Sequence, residues 1–72
     1  VEAVVVIGGK NSANTRRLYE QAWRSGLPAW HIEGAEDLPY EVFSYGRIGI
    51  TAGASTPDYI IQEVQERLES DQ

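Results

Sequence analysis

The stretch Ala3-Val4-Val5-Val6-Ile7-Gly8-Gly9 determines the fold that is predicted for this chain of 72 residues. Five consecutive apolar residues, four of them β-branched, are typical of a strand that is buried on both faces, as in a parallel sheet. The two glycines end the strand and begin a loop. Such a strand needs further strands beside it and helices on both faces of the sheet.

Outward from this strand, the sequence predicts alternating helices and strands. The first helix is expected at residues 14–25 and is ended by Gly26 and Pro28. The other elements are expected at 29–33 (strand), 36–44 (one or two helical turns broken at Pro39), 47–51 (strand) and from Pro57 onward (helix). This alternation predicts an α/β fold with right-handed crossovers.

The last helix has the clearest signals in the sequence. Thr56 is expected at its N-cap and Pro57 at its first position, with Asp58 in the first turn, where a negative charge suits the helix dipole. An apolar stripe at helical spacing follows, formed by Ile60, Ile61, Val64 and Leu68.

The predicted architecture is a small three-layer unit, a three-stranded parallel sheet with flanking helices. The first strand is the most apolar, so it is expected in the centre, which gives the strand order 2-1-3. Three strands leave two exposed edges, through which the chain is expected to self-associate.

The composition excludes several classes of function. Zero cysteines exclude disulfides, a thiolate nucleophile and a cysteine-ligated zinc or iron–sulfur site held by this chain alone. The single histidine, His31, excludes a two-histidine metal site. No apolar run approaches the roughly 20 residues of a membrane span, and no targeting segment is recognisable. We therefore expect no membrane partner.

The net charge of −5 is unevenly distributed. Residues 1–28 carry four basic and two acidic side chains, whereas residues 29–72 carry two basic and nine acidic ones. The acidic half argues against a nucleic-acid partner, which needs Lys and Arg along one face. Lys10, Arg16 and Arg17 form a local basic patch, which is either a solvated helix face or part of an anion site.

The chain also contains no methionine, which predicts a piece of a longer protein, a processed chain or an engineered one. A domain of this length buries only about 60% of the surface that its unfolded chain exposes. We therefore expect it to depend on neighbouring structure.

Two strand-to-helix turns, residues 8–14 and 52–56, contain the candidate chemistry. In the order 2-1-3 they follow neighbouring strands, at the edge of the sheet where ligands bind in such folds. Free backbone N–H groups and helix dipoles there favour an anion, expected to be a phosphate or a diphosphate. The side chains that could donate to it are Ser12, Asn14, Ser55 and Lys10.

An alternative interpretation is that these turns only begin helices, and the residues themselves leave both interpretations open. Neither turn matches the dinucleotide-binding or phosphate-loop pattern. Pro57 stands where the hydrolase nucleophile elbow has Gly, and His31 precedes Ser55, opposite to the order of that triad. A Ser–His hydrolase is therefore disfavoured, as is a free-standing nucleotide-binding domain, for which no residue offers a clear base pocket.

The aromatic residues are expected to have structural roles. His31 is predicted to be a structural or surface histidine. Trp23, with Leu18 and Ala22, is expected to face the sheet, and Trp30 to pack as well. A cluster further along is expected to cover a sheet edge or the rim of the core, formed by Tyr40, Phe43 and Tyr45.

Three blocks of the sequence are distinctive in composition and order: GGKNSANTRRLY at residues 8–19, His31-Ile32-Glu33, and GITAGASTP at residues 49–57. They resemble the C-terminal segment of the LytB/IspH family, 4-hydroxy-3-methylbut-2-enyl diphosphate reductase of the non-mevalonate isoprenoid pathway. The resemblance covers nearly all 72 residues. It implies that residues 1–72 form a single α/β lobe that corresponds to the C-terminal third of the reductase.

The resemblance also implies which residues bind the diphosphate of the substrate. Ser12, Asn14 and Ser55 match the diphosphate-binding positions of the family. Four neighbours are expected to support them: Lys10, Asn11, Ala13 and Thr56. Ala13 departs from the family pattern, which usually has a second Ser there, so that one hydroxyl donor is missing and only the backbone N–H remains.

For the full-length family, the resemblance implies three lobes around a [4Fe-4S] cluster and reduction of an allylic alcohol diphosphate to isopentenyl and dimethylallyl diphosphates. It further implies electrons from a ferredoxin or flavodoxin and a location in the bacterial cytoplasm or the plastid. The family's cluster cysteines, catalytic glutamate and substrate-contacting histidines lie elsewhere in its chain, and His31 is not one of them. We therefore expect no catalytic or metal-binding residue here, and no cofactor bound by this chain.

Two hypotheses follow. In the first, the chain is a diphosphate-binding lobe that takes part in the reduction only within the full iron–sulfur enzyme, with the remaining lobes as partners and inorganic pyrophosphate or phosphate as simple ligands. In the alternative, it is an isolated or engineered structural α/β unit without activity, whose anion site is inherited but unused.

Overall fold

A computed structural model describes residues 1–70 and has the predicted α/β architecture. Three parallel strands form one sheet in the order β2-β1-β3. The strands are β1 (Ala3–Ile7), β2 (Ala29–Ile32) and β3 (Ile48–Ala52), and the helices are α1 (Ala13–Arg24) and α2 (Asp58–Ser70). Two short 3-10 helices, Ala35–Asp37 and Tyr40–Ser44, lie between β2 and β3.

Strand β1 lies in the centre because its side chains can be buried on both faces. Val5 pairs with Trp30 of β2 and with Ile50 of β3. Val5 and Ile7 pack in the main core with residues of α2, whereas Val6 points to the opposite face, toward α1. All three side chains are fully buried. The outer edges of β2 and β3 have no strand partner within residues 1–70, and self-association through them stays a prediction.

Helix α1 begins and ends one residue earlier than the predicted range of 14–25. The Ser12 side chain is the N-cap and accepts a hydrogen bond from the Thr15 backbone N–H at 3.3 Å. Gly26 follows the helix with φ of +88°, a conformation that glycine adopts without strain.

The prediction that Trp23 faces the sheet was wrong, because 56% of its surface is exposed. The inner stripe of α1 is formed by the buried Thr15 and the half-buried Leu18 and Ala22, and at 3.6 residues per turn Trp23 lies at the margin of that stripe. Its ring packs edge-on against Tyr19, with the centroids 6.3 Å apart.

The segment between β2 and β3 has the predicted break at Pro39, but both halves are 3-10 helices. Val42 is fully buried in the main core and Phe43 packs against it. Tyr45 lies against Trp30, with ring centroids 5.8 Å apart, so these aromatic residues cover the core as expected. Tyr40 does not, because it is 89% exposed at the start of the second 3-10 helix.

Helix α2 begins at Asp58, one residue later than predicted. The Pro57 carbonyl accepts the first hydrogen bond, from the Ile60 N–H at 3.1 Å. The predicted apolar stripe is confirmed: Val64 and Leu68 are buried, and Ile60 and Ile61 pack against the core. No helix within residues 1–70 combines the length and the hydropathy that crossing a bilayer requires.

One side chain of α1 packs against the ends of two strands. Thr15 is 1% exposed and lies against Gly8, which follows β1, and Gly53, which follows β3. A Cβ atom on either glycine would overlap the Thr15 hydroxyl. Glycine at both positions therefore allows the start of α1 to approach both strand ends.

We predict that Gly53→Ala lowers the free energy of unfolding by about 1–3 kcal/mol, because the new methyl group overpacks the contact with Thr15. Gly9→Ala is the matched control, since a Cβ there meets nothing within 4 Å. It should change the free energy of unfolding by less than about 0.5 kcal/mol. Urea unfolding followed by circular dichroism measures both values.

Combining Gly53→Ala with Thr15→Ala tests whether Thr15 is the side chain that the new methyl group contacts. In a Thr15→Ala background, Gly53→Ala should cost at least about 1 kcal/mol less than in the parent, since contacting residues are energetically coupled. The same cost in both backgrounds would show that Gly53 is required for a reason other than Thr15.

Candidate anion-binding site

The turns that follow β1 and β3 have the same hydrogen-bonded structure. The Ser12 N–H donates to the Gly9 carbonyl at 3.1 Å, and the Thr56 N–H donates to the Gly53 carbonyl at 3.0 Å. Each bond closes a four-residue turn. In both turns, the N–H groups of the two central residues take no part in this bond and can donate to other acceptors.

Both turns are attached to the carboxyl end of the central strand. The Gly53 N–H donates to the Ile7 carbonyl at 3.0 Å, and the Thr56 hydroxyl donates to the same oxygen at 3.1 Å. On the other side of β1, the Gly8 N–H donates to the Ile32 carbonyl at 2.9 Å. These bonds hold the two turns side by side, at the edge of the sheet where the sequence placed the site.

The predicted ligand Ser55 lies at an open cavity between the two turns. The cavity has a volume of about 210 Å³ and is lined by Gly8, Gly9, Glu33, Ser55, Thr56, Pro57 and Ile60. Ser55 itself is exposed. The structure therefore brings one predicted ligand together with the glycines of the other turn.

Ser12 and Asn14, the other two predicted ligands, lie outside this lining, at the start of α1. The Ser12 oxygen accepts the Thr15 N–H, which leaves its own proton able to donate to an anion. Asn14 is exposed. The first amides of a helix have no intrahelical acceptor, so Ala13 and Asn14 also present backbone donors there.

Two of the expected supporting residues donate hydrogen bonds within the chain. The Lys10 ammonium donates to the His31 carbonyl at 3.0 Å, and the Lys10 backbone N–H donates to the Glu33 carboxylate at 3.2 Å. The Thr56 hydroxyl donates to Ile7, so that residue anchors its turn and has no second proton to offer. Asn11 and Ala13 are exposed.

His31 has a structural contact, in agreement with the prediction. Its Nε2 lies 3.0 Å from the Gly8 carbonyl oxygen. A carbonyl can only accept, so Nε2 carries the proton and donates. The imidazole thereby fixes the turn after β1 from the side of β2.

Glu33 was missed as a site residue, although the sequence contained a signal for it. It is the first residue after β2, and the carboxyl ends of parallel strands meet at one edge of the sheet. Its carboxylate brings a negative charge to a crevice that otherwise presents donors.

No metal centre accompanies these residues. Within residues 1–70, there is no group of three or more His, Cys, Asp and Glu side chains that could hold a metal ion. The full sequence has no cysteine. The residues present therefore do not fit an iron–sulfur cluster held by this chain.

Comparison with known proteins identifies relatives for nearly the whole chain. The chain is 60% identical over 68 residues to the 4-hydroxy-3-methylbut-2-enyl diphosphate reductase of Treponema denticola, which covers 94% of the chain and 24% of the relative. It is 50% identical over 70 residues to the reductase of Aquifex aeolicus, and this match covers 96% of the chain and 24% of the relative. The chain thus spans about a quarter of the length of these relatives.

The fold is shared with a solved structure and the sequence with a family model. A structure of (E)-4-hydroxy-3-methyl-but-2-enyl diphosphate reductase, described as the terminal enzyme of the non-mevalonate pathway, superposes with a TM-score of 0.85 at 49% identity. The match covers 97% of this chain and 25% of that one. The model of the LytB protein family matches residues 1–69, and the chain therefore belongs to the LytB family.

Proposed function

We propose that the chain is the diphosphate-binding lobe of a 4-hydroxy-3-methylbut-2-enyl diphosphate reductase and acts in the reduction only within the full enzyme. The observation that carries the proposal is the attachment of both turns to β1, with the Gly53 N–H and the Thr56 hydroxyl on the Ile7 carbonyl. The names of the relatives supply the ligand class, an allylic diphosphate.

The proposed ligands are the donors that the two turns leave exposed or half-buried. Ser12 and Ser55 would donate hydroxyl protons and Asn14 its side-chain amide, each to a phosphate oxygen. Hydrogen bonds to a charged group contribute about 1.5–3 kcal/mol each before ordering costs, and each helix terminus adds about 0.3–1 kcal/mol. A net binding free energy of about 4 kcal/mol corresponds to millimolar affinity. We therefore propose weak binding of pyrophosphate by the chain alone.

The role of this chain in the reaction would be to bind and orient the diphosphate. The resemblance to the family implies that an iron–sulfur cluster would supply the reducing chemistry in the full-length enzyme. The residues of this chain do not fit that cluster, so its chemistry belongs to the rest of the enzyme.

We predict that Ser55→Ala weakens the binding of inorganic pyrophosphate about three- to tenfold, because one donated hydrogen bond is lost. A ³¹P NMR titration of the folded protein measures the dissociation constant. Ser44→Ala is the matched control, an exposed serine at the end of the second 3-10 helix. Equal affinities of the parent and both variants would remove Ser55 from the site.

We predict that Ala13→Ser strengthens pyrophosphate binding about two- to tenfold, because a hydroxyl donor is added at the start of α1. Ala13 is exposed, so the extra oxygen causes no steric conflict within the chain. The same titration, with thermal unfolding as a check on the fold, measures the effect. An unchanged or weaker affinity in a folded variant would place the diphosphate away from residue 13.

A further inference from the structure

The Glu33 carboxylate accepts a hydrogen bond from a backbone N–H group of the proposed anion site. Glu33 lines the same cavity as Ser55, Gly8 and Gly9. One of its oxygens accepts the Lys10 backbone N–H at 3.2 Å. Lys10 is a central residue of the turn after β1, so this N–H is one of the groups that a phosphate oxygen would otherwise take.

The surrounding contacts hold this arrangement in place. The Glu33 N–H donates to the Asp37 carboxylate at 3.1 Å, which fixes the backbone after β2. The Lys10 ammonium donates to the His31 carbonyl, so the end of the lysine side chain lies against β2. The charged groups at this end of β2 are thus the Lys10 ammonium, the carboxylates of Glu33 and Asp37 and, against Gly34, the carboxylate of Glu36.

We propose that Glu33 is an internal competitor for the anion and sets the affinity and charge preference of the crevice. The inference rests on the proposed function, since it concerns the same site. A phosphate oxygen that binds to the Lys10 N–H displaces the Glu33 carboxylate, and the ligand is repelled by that carboxylate while both are present. The repulsion increases with ligand charge, so Glu33 acts more strongly against pyrophosphate than against inorganic phosphate.

Two substitutions separate the charge from the hydrogen bond. Glu33→Gln removes the charge but keeps an acceptor, whereas Glu33→Ala frees the Lys10 N–H as well. We expect Glu33→Gln to strengthen pyrophosphate binding about threefold and Glu33→Ala about tenfold, given the sizes of exposed charge pairs and of hydrogen bonds to charged groups. The gain should be smaller for inorganic phosphate.

The matched control is Glu36→Gln. Glu36 is exposed and lies three residues further along, but it lines a different cavity, with Glu63 and Glu66. Glu36→Gln changes the net charge by the same amount as Glu33→Gln. Its effect on the dissociation constant therefore measures the influence of the net charge of the chain alone. We expect that effect to be below about twofold.

³¹P titrations give the dissociation constants, and the ¹³C shift of the Glu33 carboxyl group reports its displacement. The proposal is supported if both Glu33 variants bind more tightly than Glu36→Gln and if the carboxyl signal of the parent moves during titration. It is overturned if the parent binds pyrophosphate but the Glu33 and Glu36 variants have equal affinities. If no folded variant binds at all, the proposed function fails together with this inference.

Discussion

The contact of Thr15 with Gly8 and Gly53 is the constraint on which the site depends. One fully buried side chain at the start of α1 touches the residue after β1 and the residue after β3. Because neither glycine has a Cβ, the helix approaches both strand ends closely. The separation between the two turns is therefore set by packing inside the fold, while side chains such as Asn14 and Ser55 are exposed.

Carbonyl groups at the carboxyl end of β1 accept hydrogen bonds from the segments on both sides of it. The Ile7 carbonyl accepts from the Gly53 N–H and the Thr56 hydroxyl, and the Gly8 carbonyl accepts from His31. Residues from all three strand ends thus meet around one crevice. This chain, which spans about a quarter of the length of its reductase relatives and contains no cysteine, thus brings residues of two turns to one edge of its sheet.

Much of the fold follows from the sequence because its signals are local. The apolar run that ends at Gly8 places β1 in the centre, and Gly26 ends α1. The exposure of Trp23 and Tyr40 did not follow, since their environment depends on how far a small sheet extends beneath each helix. The candidate site likewise has one part that local signals predict and one part that depends on the tertiary structure. Periodicity and the family resemblance place the two turns together, whereas the Lys10–Glu33 contact depends on the path of the chain after β2.

The proposed function requires that the two turns form one site. The most direct measurement is an amide chemical-shift titration of the chain with inorganic pyrophosphate up to millimolar concentration. If the two turns form one site, amides of residues 9–14 and 53–56 should shift together and fit one dissociation constant. Shifts in one turn only, different constants for the two turns, or a well-dispersed spectrum without shifts in either turn would contradict it.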